Sequence, residues 1–220
     1  MMAEPYYVIL DVESTGLLFT NPDIVELSAI SLEPDETGLP QLFDAFLQPT
    51  KDLTKEATSI NGLYRRHNCL FNSKEGKEVF TESPPQVLKD FLSWLKKLQS
   101  NNIYILAYNA FKFDAPLLLQ HFERYSIPYS QVIRGVCDPL VGIQRLPSLG
   151  SLSKKSLLDV CQTLKIHVRS RELHSGFYDS VLLRNLVKKL RQEWGNAFLK
   201  DCSMTLQQFK SSYFKDFYSS

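Results

Sequence analysis

The chain has 220 residues, 44% of them hydrophobic and 22% charged, with a formal net charge of +1. That length suits one sizeable core, and the balance excludes a disordered chain and the strong basic excess of a duplex-coating protein. No stretch reaches the roughly 18 apolar residues that span a bilayer, and the first residues, MMAEPYY, lack a signal peptide's basic and apolar regions.

Along the chain, β-branched and aromatic runs at 6–10, 24–32 and 42–47, separated by Gly, Pro, Asn and Asp, predict three strands in an antiparallel meander. Residues 52–80 are mixed and polar, predicting short helices and loop, with FNSKEGKE at 71–78 a solvated excursion. From Pro84 the residues Val87, Leu88, Phe91, Leu92, Leu95 and Leu98 recur at helical spacing. A strand (NIYILAY, 102–108), a helix (115–125), a strand (QVIRGVCD, 131–138), a helix (156–165) and a helix (about 177–192) follow. Residues 150–155 read as a loop, and the tail carries a stripe of aromatic residues (Phe209, Tyr213, Phe214, Phe217, Tyr218) expected to pack on its own domain.

A meander followed by alternating helices and strands implies an α/β fold with a mixed five-stranded sheet, parallel after the meander and flanked by helices. The expected organisation is a single domain, 1–220, with a core over about 6–190 and a C-terminal helical segment over about 191–220. The cysteines Cys69, Cys137, Cys161 and Cys202 form no CxxC pair, which fits a reduced intracellular compartment without separating nucleus from cytoplasm. Cys69 lies near His67, but no second half of a zinc site follows.

Three positions concentrate acid. In VILDVESTGL, Asp11 and Glu13 stand two apart at the end of the first strand, so both face the same side. A frayed strand end in water is the simple alternative; the Ser14-Thr15-Gly16 turn favours a site, since ligands gather outside the carboxyl ends of strands. Asp114 follows a strand and Asn109 and opens a helix, where it could equally serve as an N-cap. Asp179 opens the helix of HSGFYDSVLLRNL, with His174 five residues earlier. An unbroken helix would turn His174 about 140° away; Gly176 allows it to sit on a loop leaning toward the acid. Carboxylates at three such ends suit hard cations such as Mg²⁺ or Mn²⁺, and an imidazole near an attacking water suits a general base.

These motifs resemble the DEDDh 3'-to-5' exonucleases of the ribonuclease H-like superfamily: LDVESTGL, AYNAFKFDAPLL and HSGFYDSVLL occur in order, the last with the His-x4-Asp spacing of the h subgroup. IVELSAI, SINGL and CDPL are further points of similarity. The tyrosine subgroup would need Tyr where Ser175 stands, so Tyr178 is not a catalytic tyrosine. The pattern is most similar to TREX-type enzymes and to the exonuclease-like domain of promyelocytic leukaemia protein isoforms and their fish relatives. Two features depart from it: Gly176-Phe177-Tyr178 replaces the small residues common between His and Asp, and the TREX proline-rich segment is missing.

The resemblance implies a ribonuclease H-like fold, two Mg²⁺ or Mn²⁺ ions held by Asp11, Glu13, Asp114 and Asp179, and His174 as general base. It also implies that Glu13, Ser14, Thr15, Gly16 and Leu17 meet the terminal nucleotide, that Leu17 and Ile60 pack on the last bases, and that Asn109 steadies the site. Lys154, Lys155, Arg169 and Arg171 are candidate phosphate contacts, with a solvated charge run as the alternative. The expected partner is nucleic acid with single-stranded 3' ends, DNA favoured over RNA, with no membrane; oligomeric state stays open. An RNA-directed exonuclease and a catalytically silent nucleic-acid-binding or interaction domain are the rival readings.

Overall fold

The computed structural model describes residues 4–98, 100–169 and 172–214. The opening apolar run forms β1 (Tyr6–Ser14), followed by β2 (Ile24–Pro34) and β3 (Pro40–Phe46). β2 is buried on both faces from Ile24 to Leu32, which is why it reads as a continuous rather than an alternating run. A short helix, α1 (Lys55–Asn61), starts on the Thr54 hydroxyl and ends at Gly62 with φ of 73°.

The stretch expected to be loop then forms β4 (Leu63–Arg66), β5 (Cys69–Asn72) and β6 (Lys77–Val79), an antiparallel sheet separate from the main one. Its strands are three or four residues long and carry charges, so no period-two pattern is visible in the sequence. Leu63 and Leu70 pack with Val25 beneath it, and Tyr64 stacks on Phe71 with ring centroids 5.5 Å apart. Both turn residues between β4 and β5, His67 and Asn68, have positive φ, as tight hairpins require. His67 thus serves a turn, and among the described residues no metal-ligating cluster forms with Cys69.

α2 (Pro84–Lys97) buries the predicted stripe of Val87, Leu88, Phe91, Leu92 and Leu95. β7 (Ile103–Leu106), α3 (Asp114–Arg124) and β8 (Ile133–Cys137) follow, then the short α4 (Pro139–Ile143) and α5 (Pro147–Gly150). α6 (Leu157–Thr163) begins with a capping box between Ser156 and Asp159, and α7 (Gly176–Trp194) is the longest helix described. After α8 (Ala197–Asp201), the segment expected to be wholly helical includes β9 (Ser203–Thr205) before α9 (Leu206–Phe209).

The main sheet therefore has six strands rather than five, in the order β3-β2-β1-β7-β8-β9. β1, β7 and β8 run parallel, while the β1–β2, β2–β3 and β8–β9 pairs are antiparallel. Three residues, Ser-Met-Thr, are too few to announce a strand; β9 exists because β8 offers it an edge. On one face Val8, Leu10 and Leu27 pack against Leu88, Phe91, Leu118 and Phe122; on the other, Ile9 and Ile30 pack against Leu183, Leu186 and Leu190. Phe209 and Tyr213 of the tail lie on Phe111, at 5.9 and 5.1 Å between centroids, while Phe217 and Tyr218 lie outside the described residues. Among the described residues no helix is long and apolar enough to cross a membrane.

Candidate metal centre and active site

Because β1 and β7 are parallel, their carboxyl ends open at one edge, and α3 starts from the loop that leaves β7. Asp11 and Glu13 project from β1 while Val12 between them enters the core. Ligand oxygens of Asp11, Glu13 and Asp179 all lie within 4.8 Å of one another. Asp114 stands beside them as the first residue of α3, its Oδ1 accepting the Val12 N–H at 3.3 Å. It does not cap its helix: Phe113 occupies the N-cap without a side-chain bond, and the Asp114 carboxylate is turned to β1 instead.

Burial and mutual repulsion hold these groups away from their ionised forms. The Glu13 carboxyl is pushed up to about 8 by burial and then by Glu26, against a hydrogen bond from Asn61 that lowers it. Asp114 is pushed up to about 7 by burial. Asp11 is raised well above the carboxylate range by burial and then by Glu13, Asp114 and Asp179. Asp179 is raised by burial, and its Oδ1 is buried with no hydrogen-bond partner. An all-oxygen donor set with an orphaned carboxylate oxygen fits a hard divalent cation, which would relieve the repulsion that otherwise favours protons.

The helix carrying Asp179 is tethered by a residue that the sequence does not single out. Glu26, in the buried centre of IVELSAI and opposite Glu13 in the β1–β2 register, accepts the Phe177 N–H at 3.2 Å and also the Gly176 N–H. It thereby receives two donors at the first turn of α7, where Ser175 caps with no side-chain bond. Ser28 Oγ lies 3.3 Å from the same carboxylate and also donates to Asp44. A Cβ on Gly176 would stand 3.1 Å from both Glu26 Oε1 and Ser28 Oγ, so the bare glycine lets the helix approach the strand. Burial and then Asp44 push Glu26 up to about 7.

His174 lies outside α7, as expected, but the chain turns at His174 itself, since Gly176 is already the first residue of the helix. It has φ of 64°, its backbone N–H donates to Asp179 Oδ2 at 3.1 Å, and its side chain is exposed, beside a cavity that Glu26, Asn61 and Phe177 also line. Leu17 and Ile60 are large apolar groups left 60% and 53% exposed. Ser14 and Thr15, in contrast, turn inward: Ser14 Oγ donates to the Gly16 carbonyl at 2.7 Å, and Thr15 Oγ1 accepts the Asp23 N–H at 2.9 Å. Their hydroxyls shape the loop rather than face the cleft.

The candidate cations divide. Lys155 Nζ donates to the Leu152 carbonyl at 2.6 Å, and Arg169 pairs with Glu172 at 3.4 Å, so both are engaged locally; Lys154 is exposed; Arg171 lies outside the described residues. The Tyr178 hydroxyl accepts the Arg169 N–H at 2.6 Å. Asn109, at φ of 64°, is held by its N–H on Asp138 Oδ1 at 3.0 Å. Asp138, from CDPL, also accepts the N–H of Phe111 and so fixes the loop leading to Asp114. Asn61, within SINGL, donates to the Ser14 carbonyl at 3.5 Å, joining α1 to the end of β1.

A family profile described as exonuclease (RNase T) matches residues 8–186. The structure of Escherichia coli exonuclease I in complex with a dA16 oligonucleotide superposes with a TM-score of 0.65 at 15% identity, over 89% of this chain and 42% of that one. That likeness defines the class of fold, the ribonuclease H-like α/β architecture of exonucleases. The chain belongs to the exonuclease family. It is 30% identical to mouse three prime repair exonuclease 2 over 170 residues, 68% of this chain and 69% of that protein. It is 28% identical to the PolC-type DNA polymerase III of Oceanobacillus iheyensis over 191 residues, which is 86% of this chain but only 12% of the polymerase.

Proposed function

We propose that this chain is a metal-dependent 3'-to-5' exonuclease that removes 5'-nucleotides from single-stranded 3' ends, DNA in preference to RNA. The observation that carries the reading is the meeting of Asp11, Glu13 and Asp179 within 4.8 Å, with Asp114 bonded to the same strand and His174 bonded to Asp179. The similarity to three prime repair exonuclease 2, and the fold shared with an exonuclease I bound to an oligonucleotide, support the same substrate class.

Asp11, Glu13, Asp114 and Asp179 would hold two Mg²⁺ or Mn²⁺ ions, which supply positive charge to the attacking and leaving oxygens of a phosphodiester. His174 takes the proton from the attacking water and passes it to solvent, which its exposed position allows. Leu17 and Ile60 lie under and beside the terminal bases, a sequence-tolerant contact because every base has an apolar face. Asn109 steadies the loop, and Lys154, Lys155, Arg169 and Arg171 are weaker candidates for phosphate because two of them are engaged locally. The unit that acts is the chain as a whole, with the C-terminal segment packed on β8 through β9.

The test is incubation of 3'-labelled single-stranded DNA, and separately RNA, with the protein and Mg²⁺ or EDTA. Release of 5'-mononucleotides from DNA with Mg²⁺ alone is expected. Release from RNA only would favour the RNA-directed enzyme, and binding without release would favour the silent domain.

A further inference from the structure

The turn between β5 and β6, a stretch that reads as solvated surface in the sequence, reaches the third motif. Lys74 Nζ donates to the Leu173 carbonyl at 3.2 Å, joining residues 99 positions apart. Leu173 immediately precedes His174, whose N–H is held by Asp179 Oδ2 at 3.1 Å. The left-handed φ of 64° at His174 is a conformation that a residue with a Cβ keeps only where its surroundings hold it. Here the one peptide that joins Leu173 to His174 is held at both ends, its carbonyl by Lys74 and its N–H by Asp179.

The path of the lysine is prepared. Asn72 Oδ1 accepts the N–H of Lys74 at 2.9 Å and of Glu75 at 3.3 Å, shaping the turn, and Ser73 N–H donates to the Gly62 carbonyl at 2.7 Å. A Cβ on Gly62 would stand 3.2 Å from Ser73 Oγ, so the bare glycine at the end of α1 lets the Ser73 turn approach, while Lys74 Cε passes at an ordinary contact distance of 3.5 Å. Lys74 and His174 line one cavity of about 340 Å³ together with Asn61, Phe177 and Tyr178. The ammonium also favours the ionised form of Asp179, after the His174 contacts.

We propose that Lys74 is a positioning residue for His174: its ammonium holds the Leu173 carbonyl and so fixes the imidazole-bearing turn against the acids of the cleft. The second sheet is thereby a working part of the site, a brace carried by β5 and β6 from α1 to the third motif. The inference rests on the nuclease reading with His174 as base, and its test separates the two.

The test is single-turnover kinetics on 3'-labelled single-stranded DNA with Mg²⁺ for wild type, K74A, K74R, H174A and K74A/H174A, with K77A as a charge control from the same hairpin and melting curves in parallel. K74A should cut the chemical rate about tenfold with an unchanged melting temperature, the size expected for loss of a charge-assisted hydrogen bond. K74R should recover most of the rate, K77A should stay within about twofold of wild type, and K74A should add no loss in the H174A background. An equal loss in both backgrounds would make Lys74 a direct phosphate contact and overturn the proposal, as would a K74A rate within about twofold of wild type. Absence of metal-dependent release by wild type itself would instead overturn the nuclease reading.

Discussion

Several carboxyl groups crowd one cleft, and their chemistry depends on what neutralises them. Glu13 at about 8, Glu26 at about 7 and Asp114 at about 7 all lie above their ordinary range in the folded chain. Raised carboxyls favour folding while protonated, so this contribution is complete at acid pH below their unfolded values and is lost as pH rises toward about 7 to 8. A divalent cation competes with those protons. The gain in melting temperature from Mg²⁺ over EDTA should therefore grow from about pH 5 to about pH 8, by several degrees; a gain that is flat with pH, or none, would contradict the cluster as a metal centre. His174→Ala and Asp179→Ala should each lower turnover by about 10²-fold or more with the fold intact by circular dichroism. At this scale the sequence was informative, because i and i+2 on a strand and the short spacing from His174 to Asp179 at a helix start are local geometry. It missed Glu26, whose partner Phe177 is 151 residues away, and Lys74, whose partner lies on another loop. His121 is a satisfied core residue: its ring bonds the Ile24 N–H and the Leu117 carbonyl.

At the scale of elements, α7 owes its placement to the strand beneath it. Glu26→Ala would leave two helix N–H groups without their acceptor in a buried junction, at a cost of about 1–3 kcal/mol, measurable by urea denaturation. Glu26→Gln keeps an acceptor and should lose less; equal losses would point to packing rather than to the cap. The loop after β1 and α1 contribute differently, through exposure. Leu17→Ala and Ile60→Ala should weaken binding of a single strand about tenfold each by fluorescence anisotropy, with stability unchanged, since base contacts of this kind carry about 1–3 kcal/mol. The long periodic helices α2 and α7 and the strands β1, β2 and β3 were legible because their patterns run over many residues. β4, β5, β6 and β9 were not, because strands of three or four residues are defined by the edge or hairpin that pairs them, and pairing is a tertiary fact.

Across the whole molecule, a six-stranded sheet with helices on both faces brings the ends of β1, α3 and α7 to one edge, so residues from positions 11 to 179 form one acid cleft. The net charge of +1 told nothing of this, because the acids are local and the balance is global. The chain spans 12% of the PolC-type polymerase it resembles and 69% of the mouse repair exonuclease. The most direct measurement of the central claim is product analysis on a 5'-labelled single strand of DNA, with wild type and Asp11→Asn side by side in Mg²⁺. The account predicts a ladder shortening from the 3' end and free nucleoside 5'-monophosphates with wild type, and an intact strand with Asp11→Asn. An intact strand with both proteins, or an equal ladder with both, would contradict it.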